Sequence, residues 1–429
     1  MGRWVRRFSQ WKWLRPGMGV KRWLALLAVG LMLLILAVTG LPRISGVWSI
    51  FERLHAPRIN PVVEVITLLG VGLVLVAVAV IELNRSLLSA FRHSDQAEVV
   101  DVVYRHRQRQ RGPKVVAIGG GHGLNTLLRG LKKHTDNITA IVTVADDGGS
   151  SGRLRRDLGM LPPGDFRNCL AALSDAEGLV SQLFQYRFAE NTDLDGHSFG
   201  NLYLTAMTAI TGSFEAALGE SSRVLAVRGQ VMPSTLAQVT LAAEVLSPEP
   251  VRANGRPRAM QVYGESNIGH TNGRIQRVYL QPGDAPAYPK AIRAILDADL
   301  IVIGPGSLYT SVLPNLLVPD LRAAIQSASA LKVYVCNVAT QSGETAGYDV
   351  MDHVDALTNH VGRDVFSVVL ANGNIMTDRS LGGGAEWVYP PENEPDRYRL
   401  ILADLVDSQY PWRHDPIKLA QALMALGGD

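Results

Sequence analysis

The sequence predicts an α/β domain on a parallel sheet with a helical insertion, preceded by a two-helix transmembrane hairpin. Three observations predict it. Residues 1–114 hold 17 Lys and Arg against 6 Asp and Glu, a net +11, which leaves −8 for the rest of a chain whose total is +3. Two long apolar runs lie inside that basic quarter. From Val115 onward, short β-rich runs end in polar, Gly-rich loops, with helical periodicity between them. At 19% charged residues and 47% hydrophobic the chain is short of charge, which excludes general disorder. Cys169 and Cys336 are too few for a disulfide framework and lack metal-site spacing. The basic pI belongs to the first quarter, so it gives no reason to expect nucleic acid as a partner.

The hairpin is expected over residues 1–84. Trp23–Leu41 is free of charge, and Val65–Ile81 is a second such run between Glu64 and Glu82. Each approaches the ~20 residues that cross a hydrocarbon core as helix. Seven cations precede the first run and seven follow the second, whereas the connection holds only Arg43, Arg53 and Arg58. The positive-inside rule then places both termini and the main domain in the cytoplasm, with two spans in the cell membrane. Residues 85–112 read as a basic linker that either lies near anionic headgroups or is simply solvated.

The domain over 113–429 begins with Val115-Val116-Ala117-Ile118, read as a buried strand. Gly119, Gly120, Gly121, His122 and Gly123 follow at once, and Leu124, Leu127, Leu128 and Leu131 then mark one helix face. Such a loop suits phosphate: glycine lets the backbone approach, and the helix start offers free N–H groups. Ile138–Val144 is the next strand and leads to Asp146, Asp147, Gly148, Gly149, Ser150 and Ser151. Three roles fit the acidic pair: ribose binding, Mg²⁺ binding at Asp146, or helix capping. Arg153, Arg155 and Arg156 follow as phosphate partners or a solvated face. Leu300–Ile303, Lys332–Cys336 and Val365–Leu370 are further strands whose ends carry Gly306 and Ser307, Asn337, and Asn372. Ligands of open α/β sheets bind beyond such strand ends, so one composite cleft is expected, covered on one side by a mainly helical segment near 153–240. Gly196-His197-Ser198-Phe199-Gly200 has the spelling of a hydrolase nucleophile elbow, but a polar loop precedes it where a buried strand is required. It reads better as a helix start with His197, Ser198 and Asn201 facing the cleft.

These motifs, with Pro162–Asn168, Leu225–Gly229, Gly304–Ser311 and Val335–Val338, make the chain resemble the gluconeogenesis factor (YvcK-like) family of the CofD-like superfamily, from about Lys114 to about His360. The resemblance implies a CofD-type, Rossmann-like fold. It also implies UDP-N-acetylglucosamine or a related nucleotide sugar as ligand, with no required cofactor and no established catalysis. Family members act in central carbon use, cell-wall precursor supply and cell shape, so a protein partner in cell-wall synthesis and a homo-oligomer are expected. The related 2-phospho-L-lactate transferases use Mg²⁺ and a nucleotide-activated donor. By position, Gly119–Gly123 would cradle the diphosphate and Asp146 and Asp147 would sit at the ribose or metal. Asn168, Asn201, Ser307 and Tyr309 would line the cleft. Arg413, in Trp412-Arg413-His414-Asp415, would contact the nucleotide sugar as a bidentate phosphate partner. The family loop has Thr where this chain has His122, and residues 371–411 match poorly. The hairpin, absent from soluble members, suggests a membrane-tethered form.

Overall fold

The structure is a computed structural model that describes residues 21–39, 61–89, 108–175, 178–189, 194–247, 259–271, 273–375, 381, 384–393 and 395–427. It divides into two units, Met1–Tyr104 and Arg105–Asp429. The first contains the helices Lys21–Thr39 and Pro61–Ser89. They pack side by side: a side chain at Gly30 would meet Val76, and one at Gly72 would meet Leu34, which is antiparallel pairing through small residues. Among the described residues only Val65–Leu83 is long and apolar enough to cross a membrane. The first apolar helix, Arg22–Val38, falls short of that length, so the expected second span is a helix of the right character but not of sufficient length. The flanking cations before residue 21, the loop around Arg43–Arg58 and most of the basic linker lie outside the described residues.

Among the described residues the second unit has ten strands in two sheets. In chain order they are β1 (Val115–Gly119), β2 (Ile138–Val142), β3 (Gln230–Pro233), β4 (Thr240–Leu246), β5 (Ala259–Tyr263), β6 (Arg274–Gln281), β7 (Leu300–Ile303), β8 (Leu331–Val335), β9 (Val368–Asn372) and β10 (Arg399–Ala403). Seven form a parallel sheet in the order β10-β9-β8-β7-β1-β2-β3. The order runs outward in both directions from β1, so the topological reversal falls at the β1–β7 pair. Strands β1, β7 and β9 are buried throughout, as runs of Val, Ile and Leu in a sheet covered on both faces should be. The remaining three make an antiparallel sheet, β5-β4-β6, inserted between β3 and β7. That sheet, β3 and β10 are structure the sequence reading missed.

The helix after β1, Gly121–Leu131, buries Leu124, Leu127, Leu128 and Leu131 completely. Full burial of such side chains is worth ~1.5–3 kcal/mol each, which anchors the Gly loop to the sheet. The C-terminal helix Pro416–Leu426 lies against it and buries Leu419, Ala420 and Leu423. Gly130 permits that approach, since a Cβ there would lie 1.9 Å from the Pro416 carbonyl oxygen. The chain just before Pro416 is thereby brought beside the Gly loop. The expected helical segment is present as helices Gly149–Leu158, Gly164–Leu173, Leu179–Gln185, Phe199–Thr211 and Phe214–Val224.

Candidate functional site

The site is assembled at the carboxyl ends of β1, β7 and β8. The last carbonyl of β1, on Gly119, accepts a 3.1 Å bond from the buried amide of Asn315. Gly121 opens the following helix at φ +62°, a conformation that favours glycine. Its N–H donates to Asp165 Oδ2 at 2.7 Å. Gly123 lies so close to Pro305 that a Cβ would sit 2.4 Å from that carbonyl oxygen. Here the need for glycine comes from the protein itself, not only from a ligand. Gly306 and Asn337 bond reciprocally, N–H to Oδ1 at 3.3 Å and Nδ2 to carbonyl at 2.9 Å. Ser307 Oγ donates to Gln341 Oε1 at 2.8 Å. Buried Glu344 accepts from Tyr309 N–H and Thr310 Oγ1, which fixes the π-helical turn Leu308–Val312 behind the loop.

A cavity of about 790 Å³ opens over these loops. His122, Ser307, Asn337, Gln341, Trp412 and Arg413 supply its polar and aromatic wall. Arg413 lies over the Tyr410 ring, 5.7 Å from its centroid. Burial, then the charges of Arg413 and Arg167, hold the His122 imidazole below its ordinary pKa. It is therefore neutral near pH 7 and offers a hydrogen bond rather than a charge. His414, also in the lining, is buried, bonds the Cys336 carbonyl and is pushed down to about 4 by burial.

A second polar group lies outside the cavity lining, on the Asp165 side of the Gly loop. Asp146 Oδ1 accepts from Gly148 N–H at 2.9 Å, and the carboxyl also bonds Ser151. Ser151 Oγ accepts from Gly164 N–H. Ser150 Oγ meets His197 Nδ1 at 2.9 Å and accepts from Asn201 Nδ2 at 3.1 Å. The Asp165 residue keeps some surface, but its carboxyl is enclosed; burial, then the nearby Asp146 charge, raises it to about 6. Burial and the surrounding carboxylates likewise raise Glu265, whose Oε2 has no hydrogen-bond partner. Arg167 is buried beside them. Its Nη2 donates to Asn168 Oδ1 at 3.0 Å, and burial followed by the like charge of Arg187 lowers it to about 10.

Of the expected residues, His122, Gly123, Gly306, Ser307, Asn337 and Arg413 line one cavity, despite their distance in sequence. Asp146, Ser150, Ser151, Asn168, His197 and Asn201 form the neighbouring polar group. Four expectations are corrected. Tyr309 does not line the cleft: it is buried, its hydroxyl bonds Tyr348 at 2.9 Å and its ring packs on His360. Asp147 is taken up by the protein itself: it accepts from Ser266 N–H and Oγ at 3.0 and 2.9 Å, capping the turn Glu265–Gly269. Arg155 is spent on the carbonyls of Val144, Asp146 and Val239, whereas Arg153 donates from Nη2 to the Asp195 carbonyl and keeps a buried Nε without a partner among the described residues. Ser198 starts the expected helix as the N-cap of Phe199–Thr211, accepting from Asn201 N–H, but it is buried and does not face the cleft. Leu381, Ala385 and Thr126, unmarked in the sequence reading, also line the cavity. Thr126 follows His122 by one helical turn, so helix periodicity pointed to it. Leu381 and Ala385 come from the segment thought to match poorly and carry no local signal.

Among the described residues no three His, Cys, Asp or Glu side chains converge as a metal cage. Mg²⁺ at Asp146 would draw most of its ligands from a bound phosphate and water, which is its common habit.

Strand order and a cleft at the order's reversal define a Rossmann-like α/β protein. The family model described as 2-phospho-L-lactate transferase CofD matches residues 115–398. The gluconeogenesis factor of Bacillus subtilis (strain 168) is 54% identical over 321 residues, 73% of this chain and 98% of its own. A protein of Nostoc sp. (strain PCC 7120), whose description also carries the gluconeogenesis-factor name, is 46% identical over 435 residues, 97% of this chain and 93% of its own. A crystal structure of a UPF0052 family member from Bacillus halodurans superposes with a TM-score of 0.67 at 45% identity, covering 73% of this chain and 99% of that one. The chain belongs to the gluconeogenesis factor family, within the CofD group. Its likeness to relatives runs past His360, further than the motifs alone suggested.

Proposed function

We propose that the cavity binds UDP-N-acetylglucosamine or a related nucleotide sugar, and that the protein is a membrane-tethered regulator. It links central carbon use to cell-wall precursor supply and cell shape. The observation that supports this reading most is the union, around one space of about 790 Å³, of Gly-loop, Ser307, Asn337 and Arg413 groups from four separate segments. The volume falls within the range of small-molecule sites. In this reading Arg413 and the loop at His122 and Gly123 take the diphosphate, the neutral His122 ring donates to it, and Trp412 offers an aromatic face; Gly119, Gly120 and Gly121 stand behind the wall, the Gly121 amide held by Asp165. The two apolar helices form a two-span hairpin with both chain ends on the cytoplasmic side.

Calorimetric titration of residues 105–429 tests the reading. That unit corresponds to relatives that are crystallised or encoded without the hairpin. Saturable binding of UDP-N-acetylglucosamine is expected, about tenfold or more weaker in Arg413→Gln, as loss of a charge-assisted hydrogen bond implies. Absence of heat with any UDP-sugar would sink it. The CofD family match supports a second reading, an Mg²⁺-dependent transferase with a nucleotide-activated donor. Donor turnover with Mg²⁺, abolished in Asp146→Asn, would favour that reading instead.

A further inference from the structure

Arg167 is only 6% exposed, yet its Nε and Nη1 have no hydrogen-bond partner among the described residues. Its one bond, from Nη2 to Asn168 Oδ1, goes to no anion, because that oxygen is a neutral amide already shared with Gln185 Nε2 at 3.0 Å. Among the described residues no carboxylate forms an ion pair with it; Asp165 and Asp146 favour its charge from a distance, and Arg187 opposes it more strongly than either. Arginine does not shed its proton in proteins, so burial cannot be relieved by neutralisation. The side chain is nevertheless held in place: a Cβ at Gly200 would meet its Cγ and Cδ at 2.6 Å. A rigid fork with two open donors, beside a second guanidinium, is the geometry that binds an oxyanion bidentately. Nearby, Asn201 Oδ1 is a buried acceptor also left without a partner, suited to a hydroxyl.

We propose that Arg167, supported by Arg187, anchors a second anion site, separate from the Arg413 cavity, that takes a phosphoryl group. Arg167 and Arg187 are absent from that cavity's wall, whereas His122, which lines it, feels the charge of both Arg413 and Arg167. The phosphoryl group is either one of the two in a nucleotide sugar's diphosphate, with Arg413 on the other, or that of a separate phosphorylated small molecule. The site itself does not depend on the nucleotide-sugar reading.

The test follows thermal midpoint and calorimetric heat of the purified full chain in detergent as inorganic phosphate is added. Wild type gains stability with phosphate by mass action. Arg167→Gln folds, because it removes a buried charge that makes no ion pair, and its response to phosphate is lost or weakened about tenfold or more. Arg187→Gln, an exposed change, weakens the response without lowering the phosphate-free midpoint. Arg413→Gln leaves it intact. An equal phosphate response in wild type and Arg167→Gln overturns the proposal, as does loss of the response in Arg413→Gln alone. Saturating UDP-N-acetylglucosamine separates the sources. Phosphate that still binds marks a separate phosphorylated ligand, and phosphate that is displaced marks the nucleotide sugar's own phosphate. Both depend on Arg167. Failure of the UDP-sugar to bind leaves the phosphate experiment readable.

Discussion

Asp165 holds the Gly121 amide that a phosphate would otherwise claim, and it does so with a carboxyl raised to about 6. A raised acid binds more protons folded than unfolded between its ordinary value near 4 and about 6. Its contribution to stability is therefore fullest below that window and is lost as pH rises through it. Asp165→Asn should melt higher than wild type at pH 8, and the gap should close below pH 4 in paired thermal scans. A gap that does not change with pH would refute this account. Motif spelling identified Asp146, Asp147, Tyr309 and Arg155 as polar groups near strand ends. It did not say where each side chain turns. Asp147 and Tyr309 find nearer partners in Ser266 and Tyr348, which local sequence does not reveal because those partners lie 119 and 39 positions away.

At the scale of elements, the short turn Glu265–Gly269 connects the antiparallel sheet to the site, and Asp147 caps it from the far end of β2. Loss of such a cap costs ~1 kcal/mol. Asp147→Ala is expected to speed amide exchange over 265–269 while the parallel sheet keeps its protection; unchanged exchange there would show the cap to be idle. The Gly loop is a comparable junction. Gly121→Ala meets little but open space and pays for its left-handed backbone, ~1–2 kcal/mol. Gly123→Ala must displace Pro305 and should lower the melting midpoint further. The reverse order of the two midpoints would show that conformation, not packing, governs the loop.

For the whole molecule, the opposed charges of the two parts carry the functional expectation. A basic pair of apolar helices precedes an acidic domain, so an anionic ligand must be met by local donors rather than by a general positive field. The full chain should remain in the membrane pellet after carbonate extraction, and a chain lacking residues 1–104 should be released. An amino-terminal reporter should share the side of the carboxyl terminus. Placement on opposite sides would leave Val65–Leu83 as a single span.

The sequence by itself determined the periodic elements and the loops between them: β1, β7 and the helix Gly121–Leu131 are legible because apolar spacing and Gly punctuation are local signals. It also determined the family, through motifs kept in order along the chain. Only the tertiary structure decided that the order of the sheet reverses at β1, that Pro416–Leu426 carries Arg413 beside His122, and that Arg167 is buried with donors unspent. Those are pairings between residues tens to hundreds of positions apart. They follow from which apolar faces bury one another, and that choice is made by the packed core as a whole.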